Sequence, residues 1–283
     1  MSAGGTWQLV RRAPAAGLRA LVADYAGFAE RAPHAVHRRE LPTARIPVIV
    51  HLGAPYAVTA ADGAVCAPAP GFVAGLHERP ADTETPAGGT ACLQLDLAPA
   101  AAHRLLGVPM AELANRVVGL DELLGRAGLE LQERLVGAPS WDARFDELDR
   151  FLARRLAGAA PASGSVAWAW HALRRSGGRM PIRTLAEELG WSHRHLIASF
   201  RREIGLPPKT VARIFRFEHA LRLARSSDGP DWAAIARDGG YADQPHLIRE
   251  FNALAGATPT ALVPRAGRTA AVNSVQDGPP ARA

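Results

Sequence analysis

The chain has 283 residues, a formal net charge of +6, 48% hydrophobic residues and two cysteines. That length exceeds the usual ~100–200 residues of one domain and predicts two. Its longest apolar runs are short and interrupted by Pro, Gly, Arg or His, and the N-terminus lacks a basic-then-apolar pattern, so no membrane partner and a cytoplasmic location are expected. Cys66 and Cys92 cannot supply a four-cysteine zinc site and read as reduced core residues. The charge is unevenly spread. From Ser165 to the end, 17 Lys and Arg face 10 Asp and Glu, whereas residues 1–164 carry 16 against 17. The basic excess of the C-terminal part is almost all arginine, whose planar fork suits phosphate and guanine edges.

In chain order, residues 5–95 carry short apolar stretches (IPVIVHLG, GFVAGL, CLQLDL) separated by Gly, Pro and Asp clusters, the pattern of strands joined by turns. A small sheet or barrel is predicted. From Pro99 the period becomes helical: AAAHRLLG, LDELLGRAGLELQERLVG, then SWDARFDELDRFLARRL with Ser140 as N-cap. In the last of these, Phe145, Leu148, Phe151, Leu152 and Leu156 form one apolar face. That stripe serves either self-association into a homodimer or packing on the chain's own sheet. The small, polar segment LAGAAPASGS reads as an interdomain linker, and the tail from Ala266 has no apolar period and reads as disordered.

After the linker the chain reads as helices only, and one hexamer is nearly repeated: HLIASF at 195–200 and HLIREF at 246–251. The surroundings match too. Leu185 corresponds to Ile235, Ala186 to Ala236 and Gly190 to Gly240 at an offset of 50, which becomes 51 at Leu196 and Leu247. Each unit is therefore a short helix, a glycine-started turn, and a second helix that Ser192 or Asp243 can cap. Leu196 with Phe200, and Leu247 with Phe251, are i, i+4 pairs turned inward. This is a helix-turn-helix pattern occurring twice. A solenoid of helical hairpins fits two units poorly, because such arrays need at least three repeats. Between the units, residues 209–227 predict a helix of ~18 residues and ~27 Å. Such a rod can place two reading helices in successive major grooves.

The stretch from RTLAEELGWSHRHLIASF through IARDGGYADQPHLIREFNALAGATPTAL resembles the tandem helix-turn-helix module of the AraC/XylS transcription regulators over roughly residues 165–263. The resemblance implies seven helices, sequence-specific binding to double-stranded DNA, promoter activation through RNA polymerase, and an N-terminal domain that senses a small-molecule effector or dimerises. The expected fold class is α+β, a small sheet or barrel-like N-terminal domain with C-terminal helices followed by an all-α module. The expected organisation is residues 1–157 for sensing or dimerisation, 158–164 as linker, 165–265 for DNA and 266–283 as tail.

With the apolar pairs inward, the first reading helix presents His193, Arg194, Ile197, Ala198 and Arg201 beside Ser192, and the second presents Gln244, Pro245, Ile248, Arg249 and Asn252. Arg194 and Arg249 suit guanine, Gln244 adenine and the isoleucines thymine methyls; Arg201, at a helix flank, suits a phosphate. Each arginine is alternatively a phosphate clamp, and each isoleucine alternatively a core residue. Polar residues often occupy the family positions that match Ile197 and Ala198, and these two residues depart from that pattern. No cofactor and no metal are expected. His34 and His37 would point to opposite faces of a strand, and His51, His77 with Glu78, and Cys92 are isolated. Two other classes remain. DNA-repair enzymes that share this module need four zinc-liganding cysteines, more than this chain has. An adaptor with a degenerate module would show no salt-dependent affinity for duplex DNA.

Overall fold

The computed structural model describes residues 5–60, 63–159, 163–226 and 229–263. The expected tail lies outside the described residues, as does the middle of the expected linker. Among the described residues the N-terminal half holds ten strands: β1 (Thr6–Arg12), β2 (Val22–Arg31), β3 (Val36–Glu40), β4 (Ile46–His51), β5 (Ala57–Thr59), β6 (Val65–Cys66), β7 (Gly71–Ala74), β8 (Ala81–Thr85), β9 (Thr90–Leu97) and β10 (Val117–Gly119). They form two antiparallel sheets, one of six strands in the order β1-β2-β9-β4-β7-β10 and one of four in the order β3-β8-β5-β6.

The apolar pattern of the central strands explains the layering. In the β4–β9 ladder Val48 lies opposite Leu95 and Val50 opposite Leu93, while Ile49 lies opposite Gln94. Successive side chains of a strand leave on opposite faces. Val48, Val50, Leu93 and Leu95 join the main core under the helices; Ile49, Phe72 and Cys92 join Tyr56 and Val58 in a second core under the smaller sheet. A central strand buried on both faces reads as a continuous apolar run, which is why IPVIVH shows no alternation.

The helical layer comprises α1 (Pro99–Leu106), α2 (Leu120–Leu124), α3 (Arg126–Gly137) and α4 (Trp141–Ala157). Two details depart from the sequence reading. β10 completes the large sheet from within the stretch of helical period, and the following apolar segment is two helices, divided where Gly125 takes φ 55° and ψ −139°. The Ser140 hydroxyl accepts from the Ala143 N–H, so α4 begins where its cap predicts. Its stripe is not free for a homodimer. Phe145, Leu148, Phe151, Leu152 and Leu156 are all buried in the chain's own core, with Phe145 stacked on Tyr25 at 5.9 Å. Tyr25 Oη donates to Asp149 at 2.7 Å and Arg12 pairs with Asp146 and Asp149, which pins the polar side of α4 to β1 and β2.

Seven helices follow among the described residues: α5 (Gly164–Arg175), α6 (Ile182–Glu188), α7 (His193–Glu203), α8 (Pro208–Arg225), α9 (Trp232–Asp238), α10 (Gln244–Ala255) and α11 (Pro259–Leu262). The predicted rod is α8, of 18 residues. The two halves do not keep separate cores. One apolar cluster runs from the sheet through Met110 and Leu113 to Leu196, Ile204 and the interior of α8. Where α7 ends, Gly205 comes so close to the other half that a Cβ would lie 2.9 Å from the Met110 carbonyl oxygen.

Candidate nucleic-acid interface

Both helix-turn-helix units are assembled by the same local chemistry. Gly190 and Gly240 take φ 63° and 75°, the left-handed backbone that ends α6 and α9 and that a side chain would strain. Ser192 Oγ then accepts from the His195 N–H at 3.2 Å, and Asp243 Oδ1 from the His246 N–H at 2.6 Å, capping α7 and α10. One residue separates Gly190 from its cap and two separate Gly240 from its own, so the turn absorbs the residue inserted in the second unit.

The histidine that opens each repeated hexamer has a packing role that the sequence reading missed. His195 meets the Trp191 ring edge-to-face at 4.4 Å, and His246 meets Tyr241 at 5.5 Å while its Nδ1 accepts from the Ala242 N–H. The available signal was an aromatic residue directly after each turn glycine. Beneath these locks Leu185, Ala186, Leu196 and Phe200 are buried in the first unit, and Ile235, Ala236, Leu247 and Phe251 in the second. Phe251 packs edge-on to Phe217 of α8 at 4.8 Å, which ties the second unit to the rod.

The outward faces carry the predicted side chains. Ser192, His193, Arg194, Ala198 and Arg201 are exposed on the first unit, as are Gln244, Pro245, Arg249 and Asn252 on the second. The isoleucines sit between surface and core. Ile197 and Ile248 are both half-buried, and Ile248 packs against the main cluster. Charge pairing separates the arginines of this region. Arg183 pairs with Glu187, Arg202 with Glu203, Arg213 with Glu250 and Arg237 with Asp238. Among the described residues Arg194, Arg201 and Arg249 make no ion pair. Arg213, unmarked in the sequence reading, lies 2.9 Å from Glu250 of α10 and 3.7 Å from Glu78 of the other half.

The residues weighed as metal ligands are dispersed. His34 precedes β3 and is exposed; His37 lies 3.7 Å from Glu84. His51 is sealed against Tyr56 and Phe72, and burial brings its pKa down to about 4. His77 Nδ1 is 3.2 Å from the Gly75 carbonyl oxygen, and burial pushes the Cys92 thiol up to about 12. Among the described residues no three His, Cys, Asp or Glu side chains gather as a metal site.

Two glycine-turned, side-chain-capped units joined by one helix, with arginines that make no ion pair among the described residues on their outer faces, make a tandem helix-turn-helix module. Residues 185–265 match a family model described as a helix-turn-helix domain, and residues 10–119 match a domain of unknown function, DUF6597. No curated protein matches the chain. Among solved structures, it is similar to the C-terminal domain of AraT, a response regulator from Geobacillus stearothermophilus (25% identity, 35% of this chain and 82% of that one, TM-score 0.32). It is also similar to ToxT from Vibrio cholerae (8%, 90% and 96%, TM-score 0.47) and to the AraC-like transcriptional activator CuxR (17%, 75% and 86%, TM-score 0.28). The C-terminal region is a helix-turn-helix domain. No helix among the described residues is long and apolar enough to cross a membrane.

Proposed function

We propose that the chain activates transcription by placing α7 and α10 in successive major grooves of a promoter, under control of its N-terminal half, and that it acts by binding rather than by catalysis. The observation that carries this reading is the pairing pattern of the arginines. Arg194, Arg201 and Arg249 stay unpaired on the two outer faces while neighbouring arginines are neutralised. Exposed, unneutralised guanidiniums on a reading helix suit phosphate oxygens and guanine O6 and N7. Arg249 and Gln244 are assigned to base edges and Arg201 to a phosphate. His193, Ala198, Pro245 and Asn252 complete the surface, with Ser192 at its edge as the cap. The working division is residues 1–157 for sensing, 158–164 as linker and 165–265 for DNA.

Control from the N-terminal half is supported by contacts at three places. Gly205 abuts Met110, Arg213 reaches Glu78, and the Ala44 N–H donates to Glu218 of α8 at 2.8 Å. A shift of the sheets is thereby passed to the rod that sets the spacing of the two units. The experiment is selection of bound fragments from a genomic pool by the purified chain, followed by transcription from a selected promoter with RNA polymerase. Bound fragments should share two half-sites about one helical turn apart, ~34 Å, and transcript should rise with protein. Enrichment of no common sequence would defeat the reading, and a falling transcript would replace activation with repression.

A further inference from the structure

The N-terminal half meets both helix-turn-helix units, and it does so through one connected piece. At the first unit, Gly205 beyond α7 lies so near the Met110 carbonyl that a side chain there would strike it. At the second, α10 ends on Gly256 in the left-handed cap conformation, φ 63°, and a Cβ there would lie 3.6 Å from Pro80 Cγ and 3.7 Å from Arg39 Nη1. Arg213 of α8 bonds Glu250 of α10 at 2.9 Å and faces Glu78 at 3.7 Å. The residues between these contacts are fastened to one another. The Glu78 N–H donates to Asn115 Oδ1 at 3.0 Å, the Asn115 N–H to the Leu76 carbonyl at 2.9 Å, and the Gly75 N–H to the Arg116 carbonyl at 3.0 Å. Gly75 also passes so near Leu113 that a Cβ would overlap its carbonyl oxygen. Asn115 takes φ 59°, a left-handed backbone that asparagine tolerates better than most side chains. Two segments, 75–80 and 110–116, therefore reach as one body from the end of α7 to the end of α10.

We infer that this body is a brace that fixes the distance and angle between the two reading helices, and that Glu78 and Asn115 thereby determine which spacing of half-sites the chain accepts. The inference rests on the reading of α7 and α10 as DNA-reading helices. A single helix such as α8 sets the length between two attached units but leaves each able to tilt on the side chains that join it. A second connection, off the axis of the first, removes that tilt. One base pair more or less between half-sites moves one of them by ~3.4 Å along the duplex and about a tenth of a turn around it. Units held by both α8 and the brace cannot follow that displacement without parting Arg213 from Glu78 or Gly256 from Pro80. Glu78 and Arg213 are partly exposed, so their attraction is screened and small. The consequence of breaking it is therefore a loss of spacing discrimination rather than a loss of fold. Both residues of the brace are positioning residues, acting on the DNA through Arg213 and α10.

The test uses the full chain and duplexes that carry the two half-sites found by fragment selection, with the selected spacer and with one base pair added or removed. Wild type should bind the altered spacers at least about tenfold more weakly, no less than the cost of one mismatched base pair. Glu78→Gln removes the charge that faces Arg213, and Asn115→Gly keeps the left-handed backbone but removes the acceptor. Each should cut that difference by about threefold or more, the size of effect that one partly exposed ion pair can exert. Asn115→Asp, which keeps an acceptor for the Glu78 N–H, should retain the wild-type discrimination. If Asn115→Gly does not fold, Glu78→Gln and Asn115→Asp decide. Unchanged discrimination in Glu78→Gln or in a folded Asn115→Gly, including equal weakening on all three spacers, would assign the spacing to α8 alone and overturn the inference. Relaxed spacing in Asn115→Asp would overturn it too, since the acceptor would not then be the cause. A wild-type chain that binds paired half-sites without regard to spacing would overturn this inference and leave the function standing, whereas a chain that selects no paired half-sites would strike the function and this inference with it.

Discussion

The two helix-turn-helix units differ little in construction and much in what they present. Each has a left-handed glycine, a capped second helix, a histidine locked on an aromatic ring and a buried Leu–Phe pair. On the outside the first offers Ile197 and Ala198 between Arg194 and Arg201, while the second offers Gln244, Arg249 and Asn252. Their anchoring differs as well. The first unit ends on the sheet half at Gly205, whereas the second is fastened to the rod through Phe251 on Phe217 and Glu250 on Arg213. The requirements of folding thus hold the inner face nearly constant in both copies and leave the outer face open to diverge. Shared packing is no guide to shared base reading.

The largest expected effect tests the common scaffold. Phe200→Ala and Phe251→Ala each remove a fully buried ring and should each cost about 3–5 kcal/mol in denaturant unfolding. A loss below about 1 kcal/mol in either would mean that one unit does not depend on its core as the other does. Next in size is the difference in reading. Arg249→Ala should cost about 1–3 kcal/mol of binding at a single base pair and relax the preference there. Arg194→Ala, with apolar neighbours, should show the weaker base preference of the two. Uniform weakening on all sequences by the Arg249 variant would make that residue a phosphate clamp and dissolve the contrast between the units.

The caps come third. Ser192→Ala and Asp243→Ala should each destabilise by about 1 kcal/mol, seen as a lower melting temperature of the full chain. The smallest effect concerns Arg201. Its replacement by alanine should weaken binding to all fragments alike and flatten the slope of log affinity against log salt by about 0.9, one phosphate contact. A sequence-dependent loss would move Arg201 from the backbone to a base.

The sequence alone determined what depends on neighbours along the chain. Spacing of i, i+4 apolar pairs, a glycine before a capping Ser or Asp, and the absence of breakers across α8 are local properties, so both units, their inner faces and the rod were legible from the letters. Ser140 marked the start of α4 for the same reason. What the tertiary structure decided was every question of partnership. The α4 stripe looks the same on a dimer interface as on a buried helix; only the position of Tyr25 showed that it was already covered. β10 carries too few residues to announce a strand, and it became one because β7 offered it a ladder. Arg249 and Arg213 are indistinguishable as letters, since whether a charge is left for DNA or cancelled by Glu250 depends on how helices distant in sequence are brought together. The same holds for Glu78 and Asn115. Their sequence neighbours gave no hint that folding would join two residues 37 positions apart and set one of them against Arg213 of the rod.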